Sequence, residues 1–551
     1  MRAYFLEGLS AAQVAKRFGY HQSSVLALCT KFRQSQDRNF FRDLPKGPQT
    51  QPHKDAVREK IIALRKQNHS VYDIRDELER LGKNRLSATA IQEVLKEAGF
   101  TRLPRRADDE RPQRPQPTAD EIADVRRFSL PEKSFTTRMG GLFLLLPLLA
   151  RLDIDSLVKG WPGTKMIPSS HAVRSALILK LIGKSRRSHV MDLLFDEGVS
   201  LVCGLNAIPK TTFMSQYSSR LGRKKIADLL GLWIGRLKAE KGFDFNSLNL
   251  DFHSISYFGD DPFVEKHYVP RRSQSKKSIL TFFAQDAEGQ VFCYSNTDLR
   301  KGEEAGEVLR FVAFWEKQYG EKPKELVFDS KLTTQSNLSE LNQKGIRFIT
   351  LRRRSQTLIR EVALIPRSNW EKVTLDVPHR KYKTPRFVEK KTKIRGYQGE
   401  LRQFYIQDLG HEKPTILMTN DFETSPKNLI TRYARRMLIE NGLADAVDFF
   451  HLDALSSAVA LNVDFDVLLT VIASGLYRIF AKSLRGYERS QGRQIFRRFL
   501  DTNARVVVEE DTVTVHLPRR SHNPILIDSG LINTSTPIPW WQGRQLKFEV
   551  V

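Results

Sequence analysis

Apolar and polar positions alternate strictly along residues 248–252, with Leu248, Leu250 and Phe252 on one side and Asn249 and Asp251 on the other. That period of two predicts a strand. A second apolar stretch, Ser278 to Gln285, is joined to a third, Gln290 to Tyr294, through Asp286-Ala-Glu-Gly289, where the glycine is expected to supply the positive φ of a hairpin. The three together predict an antiparallel meander. Residues 303–318 then change period: Val308, Val312 and Trp315 fall on one helical face, and acids occupy the first turn, where the macrodipole favours them. A strand over Glu325–Phe328, a helix from about 333 to 343 stopped by Lys344-Gly345, and a strand over Arg347–Leu351 follow.

The resulting order, β-β-β-α-β-α-β, is that of the ribonuclease-H fold. In such a sheet the first and fourth strands are neighbours, so Asp251 and Asp329 are expected to meet at its carboxyl edge. A third acid comes from a later helix over residues 428–440, in which Tyr433, Arg436 and Glu440 fall within an arc of roughly 60°.

The string Tyr433-x2-Arg436-x3-Glu440 resembles the tyrosine-arginine-glutamate element of DDE transposases from bacterial insertion sequences, the superfamily typed by insertion sequence four. Leu-Asn-Leu-Asp251-Phe-His-Ser-Ile-Ser-Tyr-Phe-Gly259 is similar to the first aspartate strand of that family, and Val327-Phe-Asp-Ser-Lys331 to its second. The basic, β-like sequence before the Tyr433 helix, including 393–402 and 414–421, resembles the β-insertion that the superfamily carries ahead of its glutamate. The similarity spans about 165–500. One departure stands out: the family has a lysine seven residues after the glutamate, and this chain has Val447. Arg432, Arg435 and Lys427 are the cations that could replace it.

Each acid has a chemical role on this reading. Phosphodiester cleavage and transfer need charge stabilised on the phosphoryl oxygens and an aligned nucleophile, which two divalent ions about 4 Å apart provide. Mg2+ favours a few carboxylates plus water and substrate phosphate. The resemblance implies two Mg2+ ions, with Mn2+ able to substitute, held by Asp251 as bridging ligand and by Asp329 and Glu440 on one ion each, while Tyr433 and Arg436 position phosphate. Taken singly, each acid has a plainer reading: Asp251 a solvated strand residue, Asp329 a helix N-cap, Glu440 half of an i, i+4 pair with Arg436. Asp260, Asp261 and Asp421, at strand ends where turns favour aspartate, are the rival acids.

The first hundred residues predict two helix-turn-helix modules, over 1–46 and 54–104. In the first, Ser10-x-x-Gln13 is a capping box, Gly19 turns the chain, and a helix from Gln22 to Arg33 sends Val25, Cys29 and Phe32 inward. Gln22, Ser23 and Ser24 at its start would face bases, with Lys31 and Arg33 as further DNA contacts. The first helix of this module is expected to begin at or before Met1. In the second module Ser70 caps a helix to Leu81, Gly82-Lys83-Asn84 turns, and Ser87 caps a helix ended by Gly99. Pro45 to Lys54 joins the modules, and 105–123 is a basic, proline-rich linker too poor in apolar residues to fold alone. The tandem resembles the bipartite paired-type recognition region of many transposases.

The remaining expected divisions are a helical domain over 124–242, the first part of the core over 243–353, the β-insertion over 354–425, core helices over 426–500, and a tail over 501–551 with a hairpin near Val506–Val515. Trp370 is the tryptophan of the insertion; it either holds an unstacked base or packs the insertion's own core, the second being the more ordinary role. The apolar runs at 142–150 and 467–477 read as core helices rather than membrane spans, and no secretory signal is apparent.

Lys plus Arg number 89 against 63 Asp plus Glu, a formal charge of +26, which points to a polyanionic partner. Arg271-Arg272 with Lys276-Lys277, Arg352-Arg353-Arg354 and Lys390 to Lys393 are the candidate phosphate contacts. Cys29, Cys203 and Cys293 are isolated, which fits a reducing cytoplasm and supplies neither a disulfide framework nor a zinc site, and His253, His379 and His451 lack ligand spacing. The expectation is a cytoplasmic, nucleoid-associated bacterial enzyme that binds double-stranded DNA at element ends and target, at least dimeric when the ends are synapsed. A DNA-binding protein whose core has lost catalysis and a metal-dependent nuclease are the two other classes the residues leave open.

Overall fold

The computed structural model describes residues 1–35, 52–82, 86–101, 128, 130–164, 167–258, 264–269, 273–377, 380–410, 412–454 and 460–551. Asp260, Asp261, Arg271, Arg272, His379, the Lys83-Asn84 turn and most of both linkers therefore lie outside the described residues. The chain divides into two compact units, Met1–Thr118 and Ala119–Val551.

The first unit is helical, with two separate cores. Ser10 accepts from the Gln13 amide and Gln13 reaches back to the Ser10 amide, so both orphan donors at the start of the helix Ala11–Phe18 are satisfied. Gly19, at φ 72°, closes that helix, and Gln22–Gln34 follows. Val25 and Cys29 are buried as expected, but Phe32 is 36% exposed. The reason is the size of the cover: the preceding helix, Arg2–Phe5, has only four residues, so Phe32 meets Phe5 at the edge, ring centres 5.4 Å apart. Half of this core is alanine (Ala3, Ala11 and Ala15), each burying little area. The second core is built of larger side chains, Val57, Ile61, Leu64, Ile74, Leu78, Ile91, Val94 and Leu95. Ser70 caps Val71–Arg80 and Ser87 caps Ala88–Glu97, with an additional helix, Arg58–Lys66, completing a three-helix cluster.

The second unit is mixed α/β. It opens with a strand, β1 (Lys133–Thr137), inside the region expected to be wholly helical. Helices Ser169–Leu181, Glu197–Cys203, Thr211–Tyr217 and Arg223–Ala239 follow. Next come β2 (Ser247–Ser256), β3 (Lys266–Val269), β4 (Gln274–Asp286) and β5 (Phe292–Asn296). β3 escaped the sequence reading, and β4 begins four residues before the expected Ser278. The φ of the β4–β5 turn also differs from expectation: Gln290 takes the positive value, 55°, while Gly289 does not. Gly289 is there for close approach, since a Cβ would lie 2.2 Å from the Phe243 ring.

The helix Glu307–Tyr319, β6 (Glu325–Val327), the helix Gln335–Gln343 and β7 (Arg347–Leu351) continue the expected order. β2 lies antiparallel to β4 and parallel to β6, which is parallel to β7. After β7 a helix, Gln356–Ala363, precedes β8 (Glu371–Lys372), β9 (Arg386–Thr392), β10 (Leu401–Gln407) and β11 (Thr415–Thr419). The expected insertion is not a separate sheet: β11 pairs antiparallel with β7 and carries β10, β9 and β8 outward, giving ten strands in one sheet.

The C-terminal residues form a second sheet from β12 (Ala504–Val508), β13 (Thr512–Leu517), β14 (Thr536–Pro537) and β15 (Gln545–Val550). The expected hairpin is present, but it is no detached tail: β1 pairs with β12, and Trp540 and Trp541 donate to the carbonyls of Val202 and Leu201 at 3.1 and 2.8 Å. Among the described residues no helix is long and apolar enough to cross a membrane.

Candidate active site

The strand β2 has two chemically distinct faces. Leu248 and Leu250 are fully buried on one, while Ser247, Asn249, Asp251 and His253 make the other a polar row. In the parallel pairing with β6, Ser247 stands beside Glu325 and Asn249 beside Val327. β6 ends at Val327, and Asp329 follows two residues later, near enough to Asp251 for its charge to raise the Asp251 carboxyl. Two carboxylates are thus brought near one another beyond the end of β6.

Glu440 comes from above this face. The expected single helix is broken: Pro426–Ala434 and Leu438–Asp448 are α-helical, and Arg435–Met437 between them is a tighter 3-10 turn. Such a turn changes the angular spacing of Tyr433, Arg436 and Glu440 from the uniform arc expected. Their convergence survives nevertheless. Arg436 donates from Nη1 to Asp251 at 3.1 Å and from Nη2 to Glu440 at 3.0 Å, and its guanidinium lies 6.0 Å from the Tyr433 ring centre. Gly442 lets the second helix sit low on the sheet, because a Cβ there would come within 2.5 Å of the Gln285 amide.

The electrostatics follow from three carboxylates around one guanidinium. Burial raises the Asp251 carboxyl above its ordinary value, Arg436 opposes that, and the charge of Asp329 adds to it. Glu440 is raised by burial as well, against Arg436, with Asp251 and Asp329 contributing. Burial alone would make Arg436 easier to deprotonate, but Asp251, Tyr433, Glu440 and Asp329 outweigh it and hold the proton more firmly. Tyr433 is pushed up to about 12, chiefly by burial. Three carboxylates against one guanidinium leave net negative charge in a half-buried place, which burial makes costly.

All-oxygen carboxylate donors suit Mg2+ or Mn2+. Among the described residues no three His, Cys, Asp or Glu side chains stand at metal-ligand spacing, and the geometry shows why: Arg436 bridges Asp251 and Glu440. Glu440, whose side chain is 57% exposed, is the carboxylate less tightly enclosed with the arginine.

The plainer roles separate cleanly. Thr334, not Asp329, caps the helix Gln335–Gln343; Asp329 instead accepts from the Lys331 amide at 2.8 Å. Asp421 is a turn residue, accepting from the amides of Glu423 and Thr424, both at 2.9 Å, and from the Thr424 hydroxyl at 2.7 Å. Val447 is buried in the apolar core, so a lysine there would have no polar surroundings. Arg432 and Arg435 do not replace it at the acids: Arg432 serves Ser247, Glu325 and Asn249, and Arg435 pairs with Asp376. Lys427 is exposed. Lys331, two residues after Asp329, has its Nζ 5.9 Å from the ring centre of Phe252, on the face of β2 opposite to Asp251. It was within the quoted aspartate motif, but a lysine after a turn aspartate carries no spacing signal. His253 was also passed over; its Nε2 meets Asp453 Oδ1 at 2.7 Å at the far end of the polar row.

Of the nucleic-acid candidates, Gln22, Ser23, Ser24, Lys31 and Arg33 are exposed on their helix, and Arg33 lies over the rings of Tyr4 and Phe5. Lys276 and Lys277 sit half-buried on β4, beside β3. Arg352 donates to Gln403 at 2.6 Å, leaving Arg353 and Arg354 as the exposed members of its cluster. Trp370 packs with Leu358, Val362, Tyr405 and Ile416 in a small core of its own, the ordinary role. Cys29, Cys203 and Cys293 are buried and unbonded to one another.

Comparison of the chain with protein-family models and with curated proteins finds no match.

Proposed function

We propose that the chain is a DDE transposase with a ribonuclease-H-like core and N-terminal helix-turn-helix modules, which binds the ends of its mobile element and carries out cleavage and strand transfer. The observation that supports this most is the cluster itself: Asp251 on β2 feels the charge of Asp329, just past the end of the neighbouring parallel strand β6, and Glu440 is brought to Asp251 through Arg436. Asp251, Asp329 and Glu440 would hold two Mg2+ ions, which when bound supply Lewis-acid stabilisation of the phosphoryl oxygens. Arg436 and Tyr433 orient the phosphodiester, and Arg436, which bridges Asp251 and Glu440, offsets their mutual repulsion. The capped helices of the first unit and the charge of +26 support a double-stranded DNA partner. Synapsis of two ends calls for at least a dimer, and a cytoplasmic site of action goes with this role.

The test is substitution at matched shape. Asp251→Asn, Asp329→Asn and Glu440→Gln are each expected to lower cleavage and joining of a terminal DNA fragment by on the order of 10³-fold or more, non-additively, with end binding kept. Asp421→Asn is the control outside the cluster. Undiminished cleavage by Asp329→Asn would remove the acid assignment.

A further inference from the structure

The polar row has a second end, and a groove opens there. Ser247, at the start of β2, lines a groove of about 640 Å³ together with Arg432, Arg435, Arg478 and Arg489, with Asp244 and Glu288 on its wall. Four guanidiniums from the broken helix, the helix Ala460–Lys482 and the loop after it face one space.

Their charge is only partly answered by the protein. Arg432 is paired with Glu325 but leaves Nη2 without a protein partner, and Arg435 is paired with Asp376. Arg478 has a backbone carbonyl, that of Ser490 at 3.3 Å, and forms no ion pair among the described residues; Arg489 is exposed and forms none there either. The two wall acids have a cation of their own nearby, Lys482, which feels both. Arg478 feels the buried Asp445 carboxylate and Arg489 lies near Glu488, but neither is held in an ion pair among the described residues, and a guanidinium's planar fork of donors matches the paired oxygens of a phosphate.

We infer that this groove is a second DNA-backbone site, holding a phosphodiester away from the reacting one through Arg478 and Arg489. The inference rests on the proposed DNA reading and adds the path of the duplex to it. Ser247 is four residues from Asp251 on one extended strand, about 13 Å at 3.3 Å per residue. That is about four base-pair rises of 3.4 Å, so a duplex with one phosphate at the acids can place another at the groove. Anchoring the backbone at two points fixes which phosphodiester meets the carboxylates, a matter of register rather than of sequence.

The experiment is a salt titration of full-length protein binding to a labelled duplex of arbitrary sequence, followed by fluorescence anisotropy between about 50 and 200 mM salt. Arg489→Gln and Arg478→Gln are each expected to make the slope of log affinity against log salt shallower by about one. Arg485→Gln, exposed nearby but outside the groove, is expected to leave it unchanged. Because Arg478 is half-buried, its variant is read only if circular dichroism shows the folded state; exposed Arg489 decides otherwise. If wild type binds with a steep slope and Arg489→Gln keeps that slope, the groove assignment is overturned while the DNA reading stands. If wild type binds no DNA, the DNA reading falls and takes the groove with it. Thermal stabilisation by inorganic phosphate that Arg489→Gln abolishes, with the DNA slope untouched, identifies a free-phosphate site and also overturns the inference.

Discussion

Arg432 and Arg436 sit four residues apart on the same broken helix, above the same face of β2, and each ties helix to sheet, yet their surroundings differ in one respect. Arg432 faces one carboxylate, Glu325, together with the neutral Ser247 and Asn249. Arg436 faces Asp251 and Glu440 and feels Asp329 as well. Arg432 is hydrogen-bonded to one carboxylate and feels Asp286 and the cation Arg435 beyond it, whereas Arg436 is hydrogen-bonded to two and feels a third. Balanced, half-buried pairs specify how elements dock; an excess of like charge at a sheet's carboxyl end costs stability unless a ligand offsets it. The same residue types thus build a fastener and a site, and the count of carboxylates tells them apart.

The strongest way to break this contrast is to remove each guanidinium in turn. Arg432→Gln leaves Glu325, only 12% exposed, without its cation, and is expected to cost about 3–5 kcal/mol in urea unfolding. Arg436→Gln likewise leaves Asp251, only 16% exposed, without its cation, and is expected to cost a comparable amount of stability, but with cleavage by the refolded fraction also falling by on the order of 10²-fold. Cleavage lost in Arg432→Gln and kept in Arg436→Gln would reverse the two assignments.

The fastened end has a pH signature. Asp286 pairs with Leu248 across β2 and β4, and burial pushes its carboxyl up to about 6, against the Gly289 amide that donates to it. Its folded value lies above the ordinary one, so the native state binds the proton more tightly between about pH 4 and about 6, and stability falls as pH rises through that window. Asp286→Asn removes the penalty. The variant is expected to be more stable than wild type by on the order of 2 kcal/mol above pH 6 and to lose that advantage below pH 4. Melting curves at the two pH values check it, and an advantage that does not vary with pH would sink the idea.

Legibility in the sequence followed how local each signal was. The alternation at 248–252, the capping box at Ser10 and the face of Val308, Val312 and Trp315 are set by neighbours within a turn or a strand, and the structure has them. Partners distant in sequence were less readable. Nothing near Lys133–Thr137 signals that its strand partner begins at Ala504, and nothing in the β-like run after residue 354 says that β11 will take the free edge of β7. At the candidate site, Tyr433, Arg436 and Glu440 were legible through their spacing. The 3-10 turn within that spacing was not, because it answers to contacts between helix and sheet.

The finest test of the contrast is Lys331. Its Nζ stands over the Phe252 ring, an exposed cation–π contact worth about 0.5–1 kcal/mol, and its backbone amide donates to Asp329. A cation in that place can meet a DNA phosphate without competing with Arg436, whose donors are already given to Asp251 and Glu440. Lys331→Gln is therefore expected to slow cleavage about tenfold, a difference of about 1.4 kcal/mol in the barrier, with melting temperature nearly unchanged. Lys331→Arg keeps the charge and should restore most of the rate. The diagnostic is where the loss appears: a group that only tethers DNA raises KM and spares kcat, whereas one that aligns the phosphoryl group lowers kcat at saturating DNA. If neither parameter moves in Lys331→Gln, the excess charge at the acids is answered by bound ions and Arg436 alone.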